Sequence, residues 1–269
     1  MDCATAVDLH TGKPVDSARF RIAGSYTEPE MGHLNRTIFA FDDITLLLAG
    51  QQPGVDSPYF DYVFHPDHEE VEVVLAGKGL MCYADGAKYD VKSGNCMYHG
   101  AGYPHRLHNA GDETLELLVM LSGHIKDCTR QCSPEEVHVE NNGGHKLVFC
   151  PEQPALTEHN LAGFAGDGCE LSLIYDGDNI CYAYVVLKPG YSAPAQGFAS
   201  NPELNEVIYV FKGTGLAVYP DNTYNLKPDM AIYNPPGQGI RYENNSNDDL
   251  VLCCFYPKGK LADVSTVCE

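Results

Sequence analysis

Basic residues are scarce in this chain. Its 269 residues include 17 Lys and Arg against 37 Asp and Glu, which gives a formal net charge of −20. Because affinity for nucleic acids comes largely from clustered Lys and Arg, we expect no nucleic-acid partner. An anionic membrane surface would repel the chain for the same reason.

Long apolar runs are also missing. No stretch approaches the roughly 18 apolar residues that a membrane helix needs, and the start MDCATAVDLHTGKP lacks the cationic segment and apolar run of a signal peptide. The 11 cysteines are scattered without a compact framework, which favours a reducing compartment. We therefore expect a cytoplasmic protein that has no membrane partner.

Helical periodicity is hard to find, whereas short strand-like runs recur. VEVVLAG, NEVIYVF and LVLCCFY are rich in branched and aromatic residues, and turn clusters such as YADGAKY and YPDNTY separate these runs. The pattern predicts an all-β protein. By the usual size of domains, two barrels of about 110 to 135 residues fill the chain.

An internal repeat supports two units. A shift of 136 residues places Pro53-Gly54 on Pro189-Gly190 and Glu70-Val71 on Glu206-Val207. After a one-residue deletion, a shift of 135 residues aligns several more positions: Tyr98 with Tyr233, Gly102 with Gly237, Arg106 with Arg241, and Asn109 with Asn244. The chain is therefore predicted to be a duplication of one barrel unit.

Two segments of the first unit resemble the paired motifs of the cupin superfamily. GNCMYHGAGYPHRLHN places Gly94, Gly102, His105 and Asn109 in register with the second motif, although Gly100 stands where that motif has proline. HPDHEEVEVVLAGKG matches the first motif from its second histidine onward through His65, Glu70 and Gly77. The first histidine is replaced by Val63.

The resemblance implies a bicupin with two tandem cupin barrels, of the double-stranded β-helix or jelly-roll type. We expect residues 1–135 to form an N-terminal barrel that has a metal site. Residues 136–269 would form a C-terminal barrel with a degenerate motif.

The same resemblance implies that His65, Glu70 and His105 bind a metal ion. A second register, through His68, Glu72 and Gly79, also fits the first motif, but the internal repeat favours the first. The replacement of the first histidine by Val63 opens a further coordination position unless His68 or His99 takes its place, and His68 is the more plausible substitute. His99 and His108 are otherwise not expected to be ligands.

The second unit differs at the ligand positions. Asn201 stands at the place of His65, Ile240 at the place of His105, and only Glu206 matches Glu70. Because an aliphatic side chain cannot bind a metal, we expect one active site in each chain.

Glu72 is the first candidate for acid–base chemistry. Alternate residues of a strand face the same side, so Glu72 should point into the barrel together with Glu70. A second buried carboxylate is costly without a role or a partner, and pairing with Arg106 or a lysine is the structural alternative. His68 and His99 complete the candidate catalytic set.

Two imidazoles and one carboxylate leave coordination positions open on a divalent ion, and this ligand type fits Fe, Mn, Ni, Co or Zn. Cupins include many kinds of enzyme and non-enzymatic proteins, so the fold does not fix the reaction. We expect a lyase, isomerase or decarboxylase that acts on a small oxygenated molecule. A 2-His-1-carboxylate Fe(II) dioxygenase is the second hypothesis and a non-catalytic ligand-binding protein the third. Barrel edges often pair, so a homodimer is expected.

Overall fold

The computed structural model describes residues 5–8, 13–14, 25–28, 33–57, 62–124, 130–132, 144–157, 161–164 and 167–257, together with 267–268. The chain divides into two compact units. We call Ala23–Glu152 the first barrel, and Met1–Ile22 together with Gln153–Glu269 the second barrel.

Strands make up almost all the regular structure of both units. The first barrel contains β3 (Ser25–Glu28), β4 (His33–Ala40), β5 (Thr45–Gln51), β6 (Asp56–Ser57), β7 (Tyr62–Phe64), β8 (Glu70–Ala76), β9 (Lys78–Tyr83), β10 (Lys88–Lys92), β11 (Asn95–His99), β12 (His105–His108), β13 (Leu115–Leu121), β14 (Arg130–Cys132) and β15 (His145–Phe149). The second barrel contains β1 (Thr5–Asp8), β2 (Lys13–Pro14), β16 (Cys169–Asp176), β17 (Cys181–Leu187), β18 (Ser192–Ala193), β19 (Ala199–Ser200), β20 (Glu206–Lys212), β21 (Gly215–Val218), β22 (Thr223–Leu226), β23 (Met230–Asn234), β24 (Arg241–Glu243), β25 (Leu250–Tyr256) and β26 (Val267–Cys268).

Helical structure is limited to short turns. Two 3-10 turns, Cys150–Glu152 and Ala162–Phe164, are the helical elements of the described residues. Over that part of the chain, no helix has the length and apolar character needed to cross a membrane.

The first barrel consists of two antiparallel sheets. One has the strand order β15-β11-β8-β13-β5-β4-β3, and the other has the order β10-β9-β12-β7-β14 with β6 paired to β12. Its core draws side chains from both sheets, among them Val74 and Met97 from the first sheet and Met81 and Leu107 from the second. The functional side chains described below lie in this same interior.

The second barrel repeats the arrangement. Its larger sheet has the order β16-β17-β25-β20-β23-β1-β2, and its smaller sheets are β18-β24-β21-β22 and β19-β26. The adjacent strands β23, β20 and β25 correspond to β11, β8 and β13 of the first barrel. Glu206 pairs with Asn234 as Glu70 pairs with His99. The repeat seen in the sequence is therefore a repeat of strand register.

Two asparagines close the corresponding loops in the same way. The Asn109 Nδ2 donates hydrogen bonds to the backbone oxygens of Gln51 and Glu113, each at 2.8 Å. The Asn244 Nδ2 donates to the backbone oxygens of Leu187 and Asp248, also at 2.8 Å each. The asparagine of the second motif therefore shapes the fold in both barrels.

The units do not divide at residue 135, where we expected the boundary. Strand β15 pairs with β11 along five residues, which extends the first barrel to Glu152. Strand β1 pairs with β23, which assigns the start of the chain to the second barrel. Both differences arise because a sheet edge accepts a strand that is distant in sequence, and local patterns do not show this.

Gly77 and Gly54 allow a matched test of the turn geometry. Both have positive φ angles, +82° and +78°. A Cβ atom on Gly77 would lie 2.7 Å from the backbone oxygen of Thr114, whereas one on Gly54 would meet nothing within 4 Å. The left-handed backbone alone costs a non-glycine residue about 1 to 2 kcal/mol.

We expect Gly54→Ala to lower the free energy of unfolding by about 1 kcal/mol and Gly77→Ala by about 1 to 3 kcal/mol more, because the backbone must also move. Urea unfolding of the full chain measures both. Equal losses in the two variants would show that the contact with Thr114 does not constrain this turn.

Candidate metal centre

The candidate centre is built around Glu70, the first residue of β8. Its carboxylate is buried, and in the sheet Glu70 stands opposite His99 of β11 and Leu121 of β13. His65 precedes it across the turn that His68 closes by donating its backbone N–H to the His65 oxygen. His105 begins β12 in the other sheet. The site therefore lies between the two sheets of the first barrel.

Two histidine nitrogens converge on one oxygen of this carboxylate. The Nε2 atoms of His65 and His105 each lie 3.0 Å from the Glu70 Oε2. The His105 Nδ1 lies 3.1 Å from the backbone oxygen of Tyr103. Because a carbonyl oxygen only accepts, His105 donates from Nδ1 and its neutral form has a lone pair at Nε2.

This geometry fits a metal ion better than a hydrogen-bonded triad. The Glu70 Oε2 receives no hydrogen bond from the described residues, although it is buried and two nitrogens are near. Lone pairs that face each other at 3.0 Å repel unless a cation lies beside them. Ligand atoms at right angles around an ion, each at about 2.1 Å, are about 3.0 Å apart, which matches both distances.

The electrostatics of Glu70 favour the ionised carboxylate. Burial alone would raise its pKa, but the charges of His65 and His105, when these are protonated, hold the pKa of Glu70 well below its usual range. The pocket therefore holds a negative charge that requires positive charge close by. A divalent cation bound by neutral imidazoles meets the same requirement.

A second acid–base pair lies beside this group. The His99 Nε2 is 3.2 Å from the Glu72 Oε2, and the His99 ring stacks on the His105 ring with 3.7 Å between their centroids. Burial, and then the charge of Glu70, raises the pKa of Glu72 to about 8. Burial, and then His105, lowers the pKa of His99 well below its usual value.

Four side chains form a cluster that can hold a metal ion. Glu70, Glu72, His99 and His105 each offer one ligand atom, and these atoms all lie within 4.8 Å of one another. Glu70 and His105 belong both to this cluster and to the ligand set expected from the motifs. His65 contacts the cluster through its 3.0 Å approach to Glu70.

His68 lies outside this cluster. Its Nδ1 is 2.5 Å from the backbone oxygen of Ser122, and its ring packs against Gly123. The structure therefore does not bring His68 to the position of the histidine replaced by Val63. Val63 itself pairs with His105 across β7 and β12, which puts an apolar side chain beside the site.

Arg106, one of the alternative partners considered for Glu72, contacts other side chains. Arg106 lies 3.8 Å from Asp56 and covers the ring of Tyr62. His108, on the same strand as His105, lies 3.3 Å from Asp56 and is partly exposed. The buried partner of Glu72 is His99 of β11. Along β12, Arg106 follows His105 and therefore faces the opposite side of the strand.

His145 and Tyr83 were not anticipated as neighbours of the site. His145 stands opposite His99 where β15 pairs with β11, and its ring meets the ring of Tyr83 edge-on with 3.7 Å between centroids. The Tyr83 ring lies 5.5 Å from the His99 ring. Only the pairing of β15 with β11 brings His145 here, and the sequence carries no local signal of that pairing.

The second barrel lacks this chemistry. Asn201, Ile208, Asn234 and Ile240 stand at the places of His65, Glu72, His99 and His105. Glu206 remains buried, and it accepts hydrogen bonds from the Tyr256 hydroxyl at 2.6 Å and from the Asn234 Nδ2 at 3.4 Å. Among the described residues of this barrel, no group of three potential ligands is found.

Family models match a part of each barrel. Residues 48–121 match the model of the cupin domain. Residues 203–266 match the model of the AraC-like ligand binding domain. No curated protein sequence matches the chain.

Solved structures of oxalate decarboxylase from Bacillus subtilis share the fold. A deletion variant is 16% identical, with 93% of this chain and 78% of that chain aligned and a TM-score of 0.65. The enzyme at pH 4.6 is 15% identical, with 93% and 77% aligned and a TM-score of 0.65. A third structure, from work on the Mn(II) centres of that enzyme, is 15% identical, with 93% and 78% aligned and a TM-score of 0.65. These likenesses confirm the expected fold of two tandem jelly-roll barrels.

Removal of one histidine tests the metal centre. We expect His105→Ala and His65→Ala to lose bound metal, whereas His108→Ala, on the same strand as His105 but facing Asp56, should keep about one ion per chain. Elemental analysis of protein that is dialysed against each divalent ion and then desalted gives the content. Equal metal content in all three variants would refute a site at these histidines.

Glu206 gives a prediction of pH dependence in the second barrel. Burial outweighs the hydrogen bonds from Tyr256 and Asn234 and raises the pKa of Glu206. The contribution of Glu206 to the free energy of unfolding is therefore most favourable below its pKa in the unfolded chain, about 4.3. This contribution is lost as the pH rises through the higher pKa of the folded protein.

Glu206→Gln removes this titration, so the variant should gain stability relative to the natural chain as pH rises from 5 to 8. Urea unfolding at both pH values measures the difference. A difference that does not change with pH would contradict a raised pKa.

Proposed function

Because the chain is a bicupin of the cupin superfamily, we propose that it is a metal-dependent enzyme whose first barrel acts on a small oxygenated organic molecule. The observation that carries this proposal is the convergence of the His65 and His105 nitrogens on Glu70, with a second carboxylate and a third imidazole beside them. The second barrel, which has lost the corresponding side chains, has no metal in this proposal.

The ion is held by His65, Glu70 and His105. When bound, a divalent ion polarises an oxygen of the substrate and stabilises negative charge that develops on it. The Tyr103 backbone oxygen orients His105 through its Nδ1, and the buried interior excludes water from the reacting groups. Mn(II) is the ion we favour among Fe, Mn, Ni, Co and Zn, with support from the Mn(II) centres of the Bacillus subtilis enzyme that has this fold.

Glu72 and His99 carry out proton transfer to or from the substrate. The 3.2 Å separation of the Glu72 Oε2 and the His99 Nε2 lets one proton be shared between them. Stacking on His105 holds the His99 ring next to the metal ligands. We assign no step to His68, because Ser122 occupies its Nδ1 away from the cluster.

The reaction class that these groups serve best is a non-oxidative lyase, isomerase or decarboxylase reaction. In each of these reactions a proton is added or removed next to an oxygen that needs electrostatic stabilisation. The shared fold with oxalate decarboxylase supports decarboxylation of a small carboxylic acid as the first reaction to test.

Two other functions remain as hypotheses. Two histidines and one carboxylate are also the ligands of Fe(II) dioxygenases, so oxygen chemistry is the second candidate. Non-catalytic binding of a small ligand is the third, and the match of residues 203–266 to a ligand binding domain favours it for the second barrel. A homodimer in the cytoplasm stays a prediction from the sequence.

The role of Glu72 can be separated from that of the metal ligands. We expect Glu72→Gln to keep its metal but to lower kcat by about 100-fold or more, as is typical when a general acid–base group is lost. Glu116→Gln, on the neighbouring strand β13 and partly exposed, should leave kcat unchanged. The measurement is CO₂ release from oxalate and other small carboxylic acids by the Mn-loaded enzyme.

Loss of metal from Glu72→Gln would instead make Glu72 a ligand, and unchanged turnover would remove it from the reaction. Oxygen uptake during turnover separates the two enzyme classes. Consumption of one O₂ for each substrate would contradict the non-oxidative reaction and support the dioxygenase.

A further inference from the structure

The acid–base pair of the first barrel lies away from solvent. The side chain of His99 is 1% exposed and that of Glu72 is 10% exposed. Loss of CO₂ from a carboxylate breaks a carbon–carbon bond and leaves the electron pair on carbon, where a proton from the pair forms the new C–H bond. Each turnover therefore consumes one proton, and the pair needs a route by which solvent can replace it.

His145 lies between this pair and the surface. It stands directly opposite His99 where β15 pairs with β11. Side chains at such positions share a face of the sheet, with their Cβ atoms about 4.5 to 5.5 Å apart. The His145 side chain is 13% exposed, and its Nε2 lies 3.7 Å from the Oδ2 of Asp85, which is 39% exposed. Exposure therefore rises in steps from His99 through His145 to Asp85.

The two nitrogens of His99 suit proton transfer from this side. The Nε2 faces Glu72 at 3.2 Å, whereas the Nδ1 is buried and makes no hydrogen bond with the described residues. An imidazole ring can accept a proton on one nitrogen and release a proton from the other. A proton that arrives at the Nδ1 of His99 can thus be replaced at Glu72 by one that leaves the Nε2.

Tyr83 and Tyr103 hold His145 and its partners in place. The ring of Tyr83 meets the ring of His145 edge-on at 3.7 Å between centroids and lies 5.5 Å from the ring of His99. Burial raises the pKa of Tyr83 far above its usual value, so its hydroxyl stays neutral. The ring of Tyr103 lies 5.3 Å from that of His145, and its hydroxyl donates a hydrogen bond to Asp85.

The surroundings of His145 suit a group that gains and loses a proton. Burial lowers its pKa, and the charge of Asp85 opposes this effect. The neutral ring therefore prevails at neutral pH, and the protonated ring has a carboxylate beside it. The other titratable groups that face His145 come from β9, β10, β11 and the segment that leads into β12, and they are Tyr83, Tyr89, His99, Tyr103 and His105.

Three other basic side chains near the metal centre do not offer this route. The His68 ring contacts the backbone oxygen of Ser122. His108 and Arg106 both contact Asp56, at 3.3 and 3.8 Å. Both follow the parity of β12 that faces away from the interior.

We propose that His145, oriented by Asp85, carries protons from solvent to the pair of His99 and Glu72. This proposal rests on the decarboxylation proposed above, because that reaction consumes a proton in every turnover. His145 acts through His99 and touches neither the substrate nor the metal ion.

Rescue by a small base tests the role of His145 during turnover. In the Mn-loaded chain we expect His145→Ala to lower kcat for CO₂ release about tenfold or more and to leave KM unchanged. Imidazole added at the same pH should restore kcat, because it can carry the proton that the missing ring carried. A side chain with a purely structural role would not be replaced in this way.

His108→Ala is the matched control. His108 is also a histidine beside an aspartate of the first barrel, but it faces away from the interior. This variant should keep the kcat of the natural chain and should not respond to imidazole.

Proton exchange tests the same route without any substrate. In the Zn-loaded chain, which is diamagnetic, ¹⁵N NMR of the histidine rings measures how fast the ring N–H of His99 exchanges with water, and loss of the signal in His99→Gln identifies it. We expect this exchange to be about tenfold or more slower in His145→Gln, whose side chain occupies the space but does not accept and release protons as an imidazole does.

Several outcomes would overturn the proposal. These are an unchanged kcat in His145→Ala, a loss of kcat that imidazole does not restore, or a change in KM alone. Equal exchange rates in the natural chain and His145→Gln would overturn it even if no acid releases CO₂. Absence of CO₂ together with slower exchange in His145→Gln would refute the decarboxylation and support the proton route.

Discussion

The buried carboxylate of Glu70 is the constraint on which the interior of the first barrel depends. A charge removed from water is stable only beside compensating charge or donors, and here the compensation comes from both sheets. His65 approaches Glu70 from the turn before β8, whereas His105 approaches from β12 of the opposite sheet. The centre therefore exists only when the barrel has closed around it. The hydrogen bond from His105 to the Tyr103 oxygen fixes which nitrogen faces the carboxylate.

The duplicated frame explains how two different interiors share one fold. The hydrogen bonds of Asn109 recur at Asn244, and the bond from Tyr98 to Glu69 recurs as the bond from Tyr233 to Asn205. These contacts hold strand ends and loops together, and they do not involve the side chains at the ligand positions. Ligand positions can then change without loss of the frame, as the replacement of His105 by Ile240 shows.

The sequence predicted the β-structure, the two barrels and the residues around Glu70, because strand alternation and motif spacing are local patterns. It did not reveal that His99 stands opposite Glu70, that His145 stands opposite His99, or that β15 extends the first barrel. Each of these depends on which strands pair and in which register, and that is decided by packing between distant segments. His68 is the opposite case, a residue that the local spacing suggested and the fold places elsewhere. Its spacing fitted the motif, but its side chain contacts the backbone oxygen of Ser122 outside the site.

Anomalous diffraction from crystals of the Mn-loaded chain would locate the bound ion. We expect one peak per chain, in the first barrel, at about 2.0 to 2.3 Å from the Nε2 atoms of His65 and His105 and from a carboxylate oxygen of Glu70. No peak is expected beside Glu206. A peak that lies away from Glu70, or a second peak in the interior of the other barrel, would contradict a single metal centre built on Glu70.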